Sequence, residues 1–177
     1  MLKMQNSFVP ENIYIPYFGS LEALVGVEIG TGSACGSVAM LDRLPRLILY
    51  CIDPWKHIDL APFEAGHSQE EHDAGYETAK NRLQPYGARA IIIKKTSDEA
   101  VIDIPDNVDF VHIDGHHEYS QVVKDINNYF PKIKVGGIIS GHDYIQVPDV
   151  SWAVDEIFKG KTIHSGDDFT WWVIKNF

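Results

Sequence analysis

Short apolar runs alternate along this chain with segments whose apolar positions recur at helical spacing. The runs predict strands at Val25–Ile29, Leu47–Ile52, Ala90–Lys94, Phe110–Ile113 and Gly137–Ser140. Between them the spacing predicts helices over Ser37–Leu44, Gln69–Gln84, Ser97–Ile102 and Ser120–Ile133. The last carries Val122, Val123, Ile126, Tyr129 and Phe130 on one face, with Ser120 as the expected N-cap. Continuous apolar strands separated by amphipathic helices are what a parallel sheet covered on both faces requires, so the pattern predicts a Rossmann-like, doubly wound α/β fold. Beyond the fifth strand come a helix at Trp152–Phe158, a short run at Thr162–His164, a turn at 165–168 and a strand at Thr170–Ile174. That turn is short enough for an antiparallel pair rather than another crossover. Trp171 and Trp172 are neighbours in a strand and must face opposite sides of the sheet, one toward the core and one toward a helix or a partner copy.

The chain has 177 residues, 45% hydrophobic and 23% charged, which suits a single domain around one core. Residues 1–20 read as an N-terminal extension. The irregular stretch Pro54–Gly66 has the length at which loops become functional, so 54–75 reads as a substrate lid. His57, His67 and His72, with Asp59 and Glu64, fall in this region, but their spacing fits no compact metal-ligand pattern. The formal net charge of -10 repels phosphate backbones and argues against nucleic acid as a partner. Cys35 and Cys51 form no C-x-x-C pair and suit a reducing cytoplasm. No apolar run approaches a membrane span and the first residues are too polar for a signal peptide, so the expectation is a soluble, cytoplasmic protein without a membrane partner.

The chemistry begins at Val27-Glu28-Ile29-Gly30-Thr31-Gly32-Ser33-Ala34-Cys35-Gly36-Ser37, a glycine-rich turn between a strand and a helix. Doubly wound folds bind nucleotides at that place. Asp53 closes the second strand, where a carboxylate can accept from both hydroxyls of a ribose. Neither feature separates a nicotinamide cofactor from S-adenosyl-L-methionine. Glu28 bears on that choice, because a carboxylate beside the turn would repel a pyrophosphate, whereas S-adenosyl-L-methionine carries no phosphate and is cationic at its ammonium and sulfonium. The third glycine also stands at Gly36, where the dinucleotide fingerprint would want it at position 35. A glycine-rich turn can also arise for packing alone.

Downstream the chain reads Val-Asp-Phe-Val-His-Ile-Asp-Gly-His-His-Glu-Tyr from Val108, then, past a helix bearing Asp125, Gly-Gly-Ile-Ile-Ser-Gly-His-Asp-Tyr to Tyr144. Together with the Glu28 turn, Ile52-Asp53-Pro54-Trp55 and Ser97, this closely resembles class I S-adenosylmethionine-dependent methyltransferases. In particular it resembles the small-molecule O-methyltransferase branch with I-D-G-x-H-x-Y and G-H-D-Y motifs. The resemblance covers roughly residues 20–175. It implies a seven-stranded, mostly parallel sheet with an antiparallel last strand, and methyl transfer from S-adenosyl-L-methionine. It places Glu28, Gly30, Thr31 and Gly32 around the methionine part, Asp53 on the ribose, Trp55 and Ser97 near the adenine, and Asp114 near the transferable methyl. The branch usually has E-x-G-x-x-x-G-x-S at the turn, and here Gly36 and Ser37 come later.

Methyl transfer is an in-line displacement, so the protein must hold the acceptor in line and help remove a hydroxyl proton. Asp114 and His117 after the fourth strand, and His142 and Asp143 after the fifth, are expected to converge at one edge of the sheet. Related macrolide-sugar O-methyltransferases imply His117 as general base, with Asp114, His142 and Asp143 as metal ligands. The His-Asp pair suits Mg2+ poorly and leaves metal dependence open. His116 is the competing base, and His112, inside an apolar strand, reads as a core histidine. The acceptor, a small hydroxylated molecule, would be selected by the 54–75 region, Tyr144–Val150 and Phe8–Tyr17, and a homodimer through the Trp171-Trp172 edge is an open expectation. Two other classes stand beside this reading: a nicotinamide-dependent oxidoreductase, and a non-catalytic module that keeps the cofactor fold. The cephalosporin hydroxylase-like relatives share the metal-site pattern with a different assigned chemistry.

Overall fold

A computed structural model describes residues 13–19, 22–57 and 68–176. Seven strands form one sheet: β1 Leu24–Ile29, β2 Leu47–Ile52, β3 Ala90–Ile93, β4 Val108–Ile113, β5 Ile133–Gly141, β6 His164–Ser165 and β7 Trp171–Ile174. Their order is β3-β2-β1-β4-β5-β7-β6. β1 to β5 run parallel, while β7 is antiparallel to both β5 and β6. The predicted antiparallel finish is therefore present, with β7 inserted between β5 and a two-residue β6. β5 is longer than expected because residues 133–136 join it ahead of a register shift against β4.

Among the described residues six α-helices flank the sheet: α1 Tyr14–Phe18, α2 Cys35–Arg43, α3 Gln69–Leu83, α4 Ser97–Ala100, α5 Tyr119–Tyr129 and α6 Pro148–Ile157. The period-2 alternation of β1 and β7 sends odd positions such as Val27, Ile29, Trp171 and Val173 into a core shared with α4, α5 and α6. Even positions such as Leu24, Trp172 and Ile174 join a second core with α1, α2 and α3. Buried apolar side chains of this size contribute about 1.5–3 kcal/mol each, so both faces are held chiefly by this burial. Trp171 is buried and Trp172 stacks on His164 at 5.2 Å between ring centroids, so β6, not the tryptophan pair, forms the sheet edge.

Several local expectations change. Ser120 is not the cap of α5: Glu118 holds that position without a side-chain bond, and the Tyr119 amide donates instead to Asp149 of α6 at 3.1 Å. α6 begins at Pro148, whose fixed φ suits the first turn, and so starts four residues earlier than its apolar period indicates. α1 lies inside the expected extension; five residues containing a proline give no periodic signal. It is nonetheless anchored, with Tyr14 stacked on Phe110 at 3.9 Å and its hydroxyl 2.7 Å from Ser140 Oγ. No helix among the described residues is long and apolar enough to cross a membrane.

Candidate active site

The strand order reverses between β1 and β4, and there the helices that follow the two strands leave on opposite faces and open a crevice at the carboxyl edge. Interstrand hydrogen bonding continues one residue past the strands. Gly30 N donates to Ile52 O at 2.9 Å, Asp53 N to Ile93 O at 3.2 Å, Asp114 N to Ile29 O at 2.8 Å and His142 N to Ile113 O at 3.1 Å. Asp53, Asp114 and His142 are thereby fixed by backbone geometry in one row along the edge. Above them lies a cavity of about 920 Å³, lined among others by Gly30, Gly32, Asp53, Trp55, Ser97, Asp114, His116 and His117.

Gly30 sits where β1 turns under the loop after β4. Its φ is +90°, and a Cβ there would stand 2.0 Å from the Asp114 carbonyl oxygen. Gly30→Ala is expected to cost about 2–4 kcal/mol, because both the backbone conformation and the approach of the two loops must give way. Urea unfolding measures this, and a loss below about 1 kcal/mol would mean that the loops part freely. Gly32 N donates to Asp53 Oδ2 at 2.8 Å and Trp55 N to Oδ1 at 2.7 Å, so each carboxylate oxygen is fixed by one amide. Trp55 is buried, has φ +43°, and returns its indole N–H to the Gly32 carbonyl at 2.8 Å.

Glu28 and Thr31 do not reach the cavity. Glu28 is buried beneath the turn, where the Ser37 hydroxyl donates to it, and a Cβ at Gly36 would stand 2.5 Å from its Oε1. The later position of Gly36 and Ser37 thus still closes on Glu28. Burial, with Asp114 and Asp53 nearby, pushes its carboxyl up to about 8. The residue is largely neutral at pH 7, so the repulsion of pyrophosphate argued from sequence loses its force; the charge facing the cavity is carried by Asp53 and Asp114. Thr31 turns its hydroxyl to the Ile52 carbonyl at 3.4 Å.

At the other end of the cavity Ser97, just after the cap Thr96, donates its hydroxyl to Asp125 Oδ1 at 2.6 Å. Gln121 Nε2 donates to the same oxygen at 3.0 Å and to Ser97 Oγ at 3.3 Å, and Tyr129 donates to the Ser97 carbonyl at 2.7 Å. Asp125 is 1% exposed and burial raises its carboxyl to about 6.

The predicted catalytic groups do converge. His117 Nε2 is 2.9 Å from Asp143 Oδ2 and 3.8 Å from Asp114 Oδ1. The two carboxylates raise His117 to about 10, and the pairing with His117 and His142 holds Asp143 well below the usual carboxylate range. One donor atom from each of Asp114, His117 and Asp143 lies within 4.8 Å of the others, a grouping that could hold a metal ion. His142, expected among the ligands, stands outside it and sets Nδ1 3.2 Å from the other Asp143 oxygen. His116 is turned to Glu118 at 3.8 Å. His112 is the expected core histidine, with Nδ1 3.1 Å from Ser140 Oγ, and burial lowers it to about 4.

Of the expected lid, Pro54, Trp55, Lys56, Glu71, His72, Ala74 and Gly75 line the cavity, the last four from the first turns of α3. Asp59, Glu64 and His67 lie outside the described residues, as do residues 8–12; residues 13–17 line none of the cavity. Sequence reasoning gave no role to three contributors. Asp125 and Gln121 were visible only as polar positions on α5, while Arg82 of α3 donates to the Ser33 carbonyl at 2.9 Å across the glycine-rich turn. Near Asp143 in the chain Ile145 is 71% exposed with φ +72°, and Phe169, 44% exposed with φ +63°, accepts from the Tyr144 amide at 2.9 Å.

Residues 27–144 match the family described as a methyltransferase domain. Uncharacterized protein R132 of Acanthamoeba polyphaga mimivirus is 36% identical over 142 residues, 76% of this chain and 59% of that protein. Uncharacterized protein y4gI of Sinorhizobium fredii (strain NBRC 101917 / NGR234) is 32% identical over 124 residues, 66% of this chain and 13% of that protein. The chain thus spans less than two thirds of the length of either relative. The O-methyltransferase NovP superposes with a TM-score of 0.67 at 18% identity, covering 87% of this chain and 72% of that one. The precorrin-6y C5,15-methyltransferase of Geobacter metallireducens GS-15 gives 0.64 at 17% identity, covering 88% and 72%. These two likenesses bear on the fold alone.

Proposed function

The chain belongs to the methyltransferase domain family, and from that premise we propose that it transfers a methyl group from S-adenosyl-L-methionine to a hydroxyl of a small acceptor. The observation that carries this reading is the adjoining of two features at one sheet edge: a cavity lined by five carboxylates against a single lysine, and His117 held between Asp114 and Asp143 at its rim. The acidic wall suits a cationic sulfonium and is hostile to a phosphate-bearing cofactor.

In this reading Asp53 takes the ribose. Its oxygens each spend one lone pair on an amide and keep the others for the sugar hydroxyls. Gly30 and Gly32 border the methionine part, Trp55 and Ser97 the adenine, and Asp114 the transferable methyl. The acceptor oxygen attacks the methyl carbon as the carbon–sulfur bond breaks, and its proton passes to His117 once the imidazole has released its own, with Asp114 and Asp143 stabilising the imidazolium that forms. Asp114 and Asp143 have the oxygen donors to hold a divalent cation such as Mg2+, with His117 beside them. Such an ion would act as a Lewis acid on the acceptor hydroxyl and offset the charge that keeps His117 protonated.

Calorimetric titration with S-adenosyl-L-methionine, S-adenosylhomocysteine and NAD(P)H, each with and without Mg2+, tests this. Micromolar binding of the two adenosyl ligands alone is expected. Binding of NAD(P)H alone would overturn the reading.

A further inference from the structure

Asp125 is buried, charged at neutral pH, and leaves Oδ2 without a hydrogen-bond partner among the described residues. A buried carboxylate kept in that condition is costly, and a neutral side chain could fill the same space. What the carboxylate does is fix the direction of its neighbours' hydrogen bonds. A carboxylate can only accept. The Ser97 hydroxyl proton is therefore committed to Oδ1, and the Gln121 amide must turn its NH₂ toward Asp125 and Ser97. Both residues line the cavity, and what they have left to offer a ligand is acceptors: Gln121 Oε1 and the remaining lone pair of Ser97 Oγ.

We infer that Asp125 is a positioning residue that sets the hydrogen-bond polarity of this end of the cavity, so that a 6-amino purine is taken in preference to a 6-oxo purine. A 6-amino group donates to such acceptors. A 6-oxo group would set oxygen against oxygen, leaving both sides unpaired in a desolvated site. The inference rests on the S-adenosyl-L-methionine reading, whose adenine would occupy this end.

The test is calorimetric affinity of the full chain for S-adenosylhomocysteine and for its 6-oxo counterpart, S-inosylhomocysteine, with folding of each variant followed by its melting temperature. The wild type should prefer the adenosyl ligand by about 10- to 100-fold. Asp125→Ala frees the hydroxyl and the amide to rotate and should narrow the preference to within about threefold. Asp125→Asn keeps a carbonyl acceptor for Ser97 and Gln121 and should restore it, which a charge-dependent role would not predict. Should Asp125→Ala fail to fold, Gln121→Met removes the proposed acceptor directly and should also narrow the preference. A folded Asp125→Ala or Gln121→Met that keeps the full preference overturns the inference, as does a folded Asp125→Asn that loses it. A wild type that binds both ligands equally refutes this inference alone, whereas one that binds neither takes the cofactor reading down with it.

Discussion

Replacing His117 with alanine is expected to lower kcat for methyl transfer by about 10²- to 10⁴-fold, the contribution typical of a positioned general base. Affinity for S-adenosylhomocysteine should stay within about threefold, because the ribose and purine ends of the cavity do not depend on His117. The split between kcat and cofactor affinity separates a chemical role from a collapse of the pocket. An unchanged kcat would remove His117 from the mechanism, and His116, turned to Glu118, would be the next residue to replace. The same imidazole gives a direct pH signature. Asp114 and Asp143 raise it to about 10, so the folded protein binds this proton more tightly than the unfolded chain. The resulting stabilisation is complete below the ordinary histidine value and fades as pH rises through about 10. Imidazole resonances of His117 should titrate near that upper value in the metal-free protein, and lower in either Asp114→Ala or Asp143→Ala.

Glu28→Gln should make the ligand-free protein more stable at pH 8 while leaving its stability at pH 4 nearly unchanged. Burial raises the Glu28 carboxyl to about 8, more than three powers of ten in proton affinity above its ordinary value, which corresponds to about 5 kcal/mol. The sign follows from which state holds the proton. Below about pH 4 both states are protonated and nothing is lost. Between there and pH 8 the unfolded chain releases a proton that the folded chain keeps, so stability falls as pH rises. Above pH 8 the folded chain releases it too and the penalty levels off. Glutamine carries no such penalty and still offers an oxygen to Ser37. Denaturant unfolding of both proteins at pH 4, 6 and 8 measures the difference, and parallel pH profiles for the two would show that Glu28 ionises freely under the turn.

Much of this molecule was legible in its sequence because the signals are periodic or local. Apolar strands spaced by amphipathic helices bury themselves in a parallel sheet covered on both faces, and residues that follow parallel strands must emerge at one edge. Asp53, Asp114, His117, His142 and Asp143 could therefore be brought together from their positions alone. Local signals failed where a tertiary partner replaced the local one. Asp149 of α6, not Ser120, receives the first amide of α5, and α1 is held by Phe110 and Ser140 from distant strands.

Sequence by itself determined the order of elements, the edge at which chemistry gathers and the residue types available there. Only the tertiary structure decided which way each side chain turns and how deeply it is buried. It put Glu28 under the turn instead of in the cavity, chose His117 over His116 as the partner of two carboxylates, and joined Asp125 to Ser97 across 28 positions of chain. The physical reason is that charge state and hydrogen-bond direction depend on desolvation and on neighbours remote in sequence, and neither exists until the chain has packed.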